Sequence, residues 1–339
     1  MKNICDYALS YQNETIEKIT EIDALIFARL AYIHFEDIID QIPLKIGEIP
    51  NYTKLLKINF RDKKLIEILT SSIRYKDLEI INCKSILDVD MEEQFMAITI
   101  KLPNKDIVIS FRGTSKNIIG LKEDFNMSFG EIPSQNSAFE YVSKTKKYRK
   151  MYLVGHSKGG NLAMYAGMHL GFFQQRKLVN IYNFDGPGFL EITKDFEKIK
   201  KKILNYYPET CIVGRLLHNE SAYNVIKTNT FGIEAHNVYT WKVDDNLLVR
   251  GLFTTNSDEF AVICDHFILN VDSNNRKIIV DYIYELILKN ELKNLKEMNL
   301  ETAKDIIARI PKVSKKEKEE LANLVRGFLK AILPVKKRK

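Results

Sequence analysis

No uninterrupted apolar run reaches the ~18 residues needed to cross a bilayer, so the pattern of a membrane-spanning helix is missing. The opening stretch, MKNICDYALSYQNETIEK, has no apolar core, because acids and amides interrupt it, and this predicts that no secretory signal peptide is present. Cysteine is scarce and scattered, at Cys5, Cys83, Cys211 and Cys264. With no Cys-x-x-Cys pair and no Cys/His cluster at ligand spacing, neither a disulfide framework nor a zinc site is expected, and the cysteines read as buried reduced thiols. No metal or cofactor is implied. Internal repeats and low-complexity segments are also lacking, apart from the terminal KKRK. These absences predict a cytoplasmic protein.

What is present is the composition of a folded globular chain, 45% hydrophobic and 28% charged over 339 residues. Charge is unevenly placed. Residues 1–289 hold 37 basic and 37 acidic residues, whereas residues 290–339 hold 14 and 7, so the net +7 belongs to the last fifty. That division suggests a neutral main domain over 1–289 and a basic helical extension over 290–339.

ITEIDALIFARLAYIHFEDII places Ile22, Leu25, Ile26, Leu30 and Ile33 at helical spacing and predicts an amphipathic helix near the start. A polar, mixed segment runs to about residue 90. EQFMAITIKLPNKDIVISFRGT then reads as two strands joined at Pro103-Asn104, and residues 115–135 read as irregular. SAFEYVSKTKKYRK predicts a helix. MYLVGH is short, apolar and bounded by charge and glycine, as a buried parallel strand should be. KLVNIYNFDGPGF, KILNYYPETCIVGRL and YNVIKTNTFGIEAHNVYTWKV supply later strands. From about 255 the pattern is helical, and the last helix opens with the capping box Ser314-x-x-Glu317. Strands alternating with helices predict an α/β fold around a mainly parallel sheet, whose chemistry collects at the carboxyl ends of the strands.

At one such end lies Gly-His-Ser-Lys-Gly-Gly, residues 155–160, between a strand and a small-residue helix. A nucleophile elbow needs those three parts in that order, and Gly155, Gly159 and Gly160 remove bulk from the tight turn. Ser157 is the candidate nucleophile. Its hydroxyl needs a general base. His34, His156 and His169 read as packing or surface residues. His236, in a loop after the last strands, is favoured over His218 and His266. The base needs an acid, and between residues 200 and 236 there is no aspartate, only Glu209, Glu220 and Glu234. Asp185, fixed by Gly186-Pro187-Gly188, is therefore the candidate, with Glu209 in reserve. For the oxyanion, the N–H groups of Lys158 and of Thr114, in FRGTS, are the expected donors. Arg112 reads as a buried structural anchor.

IVISFRGTS followed by GHSKGGNLA resembles class 3 lipases of the α/β-hydrolase superfamily. The chain is still more similar to a lipase-like bacterial group of that superfamily, long catalogued as a domain of unknown function. EIDALIFARLAYI, GLKEDFNMSF, DGPGF, YYPETCIVGRLL and AHNVYTW carry this resemblance over residues 20–270. It implies an α/β-hydrolase fold and a serine esterase or lipase cleaving acyl or lipid esters. Class 3 lipases take their acid from after the following strand, where this chain has no aspartate, and that departure favours Asp185. Ser115 and Leu121 stand where an acidic residue and a tryptophan are expected.

In such lipases a lid follows the oxyanion turn. KNIIGLKEDFNMSFGEIP, with Ile118, Ile119, Leu121, Phe125, Met127 and Phe129, is the matching segment, and it reads either as a cover over an acyl pocket or as an ordinary packed connection. The basic tail reads as a solubilising appendage or as a contact with an anionic membrane surface; no nucleic-acid partner is expected. Two further readings of the chain stand beside the esterase: a non-catalytic lipid-binding or interaction protein, and an acyltransferase or toxin-like lipase effector.

Overall fold

The computed structural model describes residues 2–115, 118–145, 148–278, 281 and 314–332. In chain order it forms α1 (Ile4–Ser10), α2 (Glu21–Leu30), β1 (Leu44–Lys45), α3 (Phe60–Ser71), β2 (Glu79–Asp88), β3 (Glu93–Lys101), β4 (Ile107–Phe111), α4 (Ile118–Asn126) and α5 (Pro133–Ser143). There follow β5 (Met151–His156), α6 (Lys158–His169), α7 (Phe172–Lys177), β6 (Leu178–Phe184), α8 (Lys194–Ile199), β7 (Ile203–Pro208), β8 (Tyr223–Ile226), β9 (Val243–Asp244), β10 (Leu247–Leu248), α9 (Thr255–Asn270) and α10 (Lys315–Ile332).

Eight strands form one sheet whose spatial order is the sequence order, β1 to β8. Pairing is antiparallel from β1 to β4 and parallel from β4 to β8. The parallel part follows from composition. MYLVGH is buried along its whole length between two parallel neighbours, which an all-apolar strand tolerates and an alternating one would not.

Side chains of successive strand residues point to opposite faces. Met96, Ile98, Ile100, Val108, Tyr152, Val154, Tyr182 and Phe184 pack on one face with α1, α2 and α3. Phe95, Ala97, Ile107, Ile109, Phe111, Met151, Leu153 and Ile181 pack on the other with α5, α6 and α8. The result is a three-layer α/β-hydrolase fold with a mainly parallel sheet.

Several elements depart from the sequence reading. The first long helix ends at Leu30 rather than running through His34, and a 3-10 segment, Phe35–Gln41, follows it. Its start is set by Thr20, whose Oγ1 accepts from Asp23 N–H while Asp23 Oδ2 accepts from Thr20 N–H. The segment taken as polar and mixed contains α3 and β2, and residues 115–135 contain α4. α4 is short, 9 residues, and tertiary bonds described below fix it in place.

α10 has the predicted capping box: Ser314 N–H donates to Glu317 Oε2 at 2.7 Å and Glu317 N–H to Ser314 Oγ at 3.2 Å. It packs on α9, with Leu324 against Ile212, Phe260 and Cys264. The boundary at 289/290, the helix candidate over 300–310 and the terminal KKRK lie outside the described residues. Among the described residues, no helix is long and apolar enough to cross a membrane.

Candidate active site

β5 ends at His156 and α6 begins at Lys158, leaving Ser157 alone in the turn with φ 61° and ψ −137°. A non-glycine residue rarely adopts that backbone, and the conformation persists only where neighbours hold it. Ser157 N–H donates to Phe184 O at 2.9 Å, and Ser157 O accepts from Gly160 N–H at 2.8 Å. Sterics do the rest. A Cβ on Gly155 would lie 2.0 Å from Gly159 O, so this turn closes only with glycine there.

Asp185 follows β6 at the neighbouring strand end, also with positive φ, 51°. It is fully buried. Its N–H donates to Tyr206 O at 2.9 Å, and Asn183 clasps the next residue, Oδ1 accepting from Gly186 N–H at 3.0 Å and Nδ2 donating to Gly186 O at 3.2 Å. Both carboxylate oxygens are engaged. Oδ1 accepts from Gly214 N–H at 3.0 Å and from Cys211 Sγ at 2.9 Å, while Oδ2 lies 2.6 Å from His236 Nδ1. Burial and the facing Asp185 carboxylate push the Cys211 thiol well above its ordinary range, so it donates as a neutral S–H.

His236 ends a 3-10 turn, Gly232–His236, and keeps 22% of its side chain exposed. Ser157 is likewise partly exposed. Glu209 stands elsewhere: its Oε2 accepts from Thr228 N–H at 3.4 Å, its backbone O from Thr254 N–H at 2.9 Å. His218 exchanges backbone bonds with Phe189 and points Nδ1 toward Asp265 at 3.9 Å, and His266 is exposed on α9. Of the candidate bases and acids, His236 and Asp185 are the pair that meet.

His156, read from sequence as a packing residue, contacts His236 directly. Its Nε2 lies 2.9 Å from His236 O and its Nδ1 2.9 Å from Tyr32 Oη. Burial, the adjoining His236 and the Arg29 cation hold its pKa well below 6.5. Arg29 in turn lies over the Tyr32 ring at 4.0 Å and bonds Asp62 through Nε and Nη2. Arg112 is buried and paired with Glu36 at 3.0 Å, the anchoring role its sequence context suggests.

The turn Gly113-Thr114 lies against the nucleophile: a Cβ on Gly113 would come within 2.9 Å of Ser157 Cβ. Thr114 Oγ1 donates to Asp124, 2.6 Å from each carboxylate oxygen. The adjacent residue of α4, Glu123, takes hold of Lys158. Lys158 Nζ lies 2.5 Å from Glu123 Oε2 and 2.9 Å from Gln94 O, with side chains 1% and 0% exposed. Glu123 also accepts from Gln94 N–H at 3.0 Å, Ser134 N–H at 3.0 Å and Ser134 Oγ at 2.5 Å. Enclosure in the protein raises Asp124 to about 6, opposed by the Lys158 cation and the Thr114 hydroxyl, with Glu123 adding to the rise.

Two consecutive residues of α4 thus hold the side chains of Lys158 and Thr114, the residues whose N–H groups are the expected oxyanion donors. Sequence reasoning missed this role of Glu123 and Asp124. The signals were a lysine inside an otherwise small and apolar elbow and an acidic pair ten residues past the oxyanion turn. Among the described residues no group of three or more His, Cys, Asp or Glu side chains is arranged to hold a metal ion.

A family model described as Mbeg1-like matches residues 69–285, which include Ser157, Asp185 and His236. A search of solved structures finds a chain described as "Crystal structure of M37 lipase", at 16% identity and a TM-score of 0.37, covering 59% of this chain and 70% of that one. No curated protein matches the sequence significantly.

Proposed function

The chain belongs to the Mbeg1-like family and is built on a lipase-like α/β-hydrolase scaffold, and from these premises we propose that it is a serine hydrolase cleaving carboxylic esters with an acyl chain. One observation carries the reading: a fully buried carboxylate, Asp185 Oδ2, bonded at 2.6 Å to Nδ1 of a partly exposed His236, beside a serine held at φ 61° in a strand–turn–helix elbow.

Ser157 Oγ attacks the ester carbonyl carbon while His236 Nε2 takes the hydroxyl proton. Asp185 keeps the proton on His236 Nδ1 and stabilises the imidazolium as it forms. The carbonyl oxygen, now an anion, accepts from the N–H of Lys158, at the N-terminus of α6, and from the N–H of Thr114, in the turn after β4. Collapse breaks the C–O bond, the departing alkoxide takes the proton from His236 Nε2, and an acyl-Ser157 ester remains. Water, deprotonated by His236, then releases the acid and restores the serine. The chemistry needs no cofactor.

The test is labelling with a fluorophosphonate probe. Wild-type protein takes up one probe at Ser157 and Ser157→Ala takes up none. Folded wild-type protein that resists the probe and cleaves no ester overturns the reading.

A further inference from the structure

We propose that α4 is a fixed wall of the site rather than a lid, so that the protein takes esters presented singly in solution and is not activated by a lipid–water interface. The inference rests on the hydrolase reading for its chemistry, and on the bonding of α4 for the rest.

A lid that opens must leave its seat at small cost. The Lys158–Glu123 pair is enclosed on all sides, and parting it would strand a cation and a carboxylate in the interior. Glu123 would lose three further donors in the same movement. The outer edge of α4 is tied as well, Lys122 Nζ to Glu92 Oε1 at 2.5 Å and Asn126 Nδ2 to Glu92 Oε2 at 2.8 Å. At Gly120 the helix comes so near β3 that an added Cβ would lie 2.2 Å from Gln94 Oε1.

Position matters as much as tightness. In an enzyme with a lid, closure completes the site and opening undoes it while substrate enters or product leaves. Here the seated helix is what completes it, since Asp124 braces Thr114 and Glu123 braces the residue after the nucleophile. Swinging α4 away would release both donors together. The seated helix does not bury the reacting groups either, because Ser157 and His236 remain partly exposed. Met127, just past the helix, is already buried in the core, so the apolar residues of this segment are in part spent on packing.

Glu123 is on this account a positioning residue. The rate of p-nitrophenyl butyrate and tributyrin hydrolysis by the wild type, followed through the solubility limit, is expected to be hyperbolic with no step. Glu123→Gln is expected to lower kcat roughly 10- to 100-fold with KM within about twofold, because a displaced donor weakens only the transition state. A sharp rise beyond the solubility limit, or higher activity in Glu123→Gln, overturns the proposal. Hydrogen exchange of the α4 amides in the wild type, with and without phosphatidylglycerol vesicles, decides the matter without any variant. Unchanged protection supports a fixed wall and lost protection overturns it. This readout stands even if Ser157 takes up no fluorophosphonate, the outcome that overturns the hydrolase reading alone.

Discussion

His156 and His236 lie with ring centroids 4.4 Å apart and planes tilted by 32°, and the side chain of the first is bonded to the backbone carbonyl of the second. A carbonyl only accepts, so His156 Nε2 carries the proton, Nδ1 is an acceptor, and Tyr32 is its donor. The tautomer agrees with a ring kept neutral by burial. His236 is thus held at its carboxylate through Nδ1 and at its backbone through His156.

Tyr32→Phe removes that donor and leaves a buried ring nitrogen without its partner. The expected cost is about 1–3 kcal/mol in urea unfolding. In steady-state kinetics kcat should fall, because His156 then holds the His236 backbone less firmly.

Asp185→Asn replaces the oxygen that faces His236 Nδ1 with an amide that can stabilise neither the required tautomer nor the imidazolium. The ester rate should fall on the order of 10⁴-fold. Glu209→Gln, remote from His236, should stay within about twofold. If Glu209→Gln alone abolishes cleavage, the acid has been misassigned.

The pH dependence of stability has a sign that His156 sets. Its folded pKa is depressed below 6.5, so the unfolded chain binds more protons as pH falls through 6.5. Stability therefore drops on acidification, by up to about 1.4 kcal/mol per pH unit from this group, until the folded ring itself protonates. Urea unfolding at a series of pH values should show a shallower slope below 6.5 for His156→Gln than for the wild type.

Gly155→Ala forces a methyl group against Gly159 O in the elbow. Backbone cannot yield there as a flexible side chain would, and a loss of roughly 3 kcal/mol or more is expected, with probe labelling lost as well. Gly130→Ala, which meets nothing within 4 Å, should change thermal stability by about 1 kcal/mol or less.

The parts of this molecule legible in its sequence are those that local rules dictate. MYLVGH, GHSKGG and the helix after it follow within seventeen residues from burial, steric need and small side chains. Asp185 could be reached because the turn glycines pin it and aspartate is missing from residues 200–236. The Lys158–Glu123 pair is harder to reach: the lysine in the elbow and the acidic pair beyond the oxyanion turn are visible in the sequence, but only the convergence of β3, α4 and α6 joins them. α4 escaped notice for the same reason, having few helix signals and many tertiary bonds. His156 was passed over because adjacency to the serine suggested that it faced elsewhere, whereas the strand alternation that turns it away from Ser157 delivers it to the His236 backbone.

The identity of spatial and sequence order in the sheet bears on how the protein comes into being. A chain emerging from the ribosome can add each of β1 to β8 beside the strand made just before it, so every addition closes a modest loop. Of the proposed triad, Ser157 and Asp185 are made first. His236, the proposed base, arrives last, carried by a turn beyond β8 and pinned to β5 by one imidazole. On the proposed mechanism, a nascent chain displays the elbow without its base until residue 236 docks.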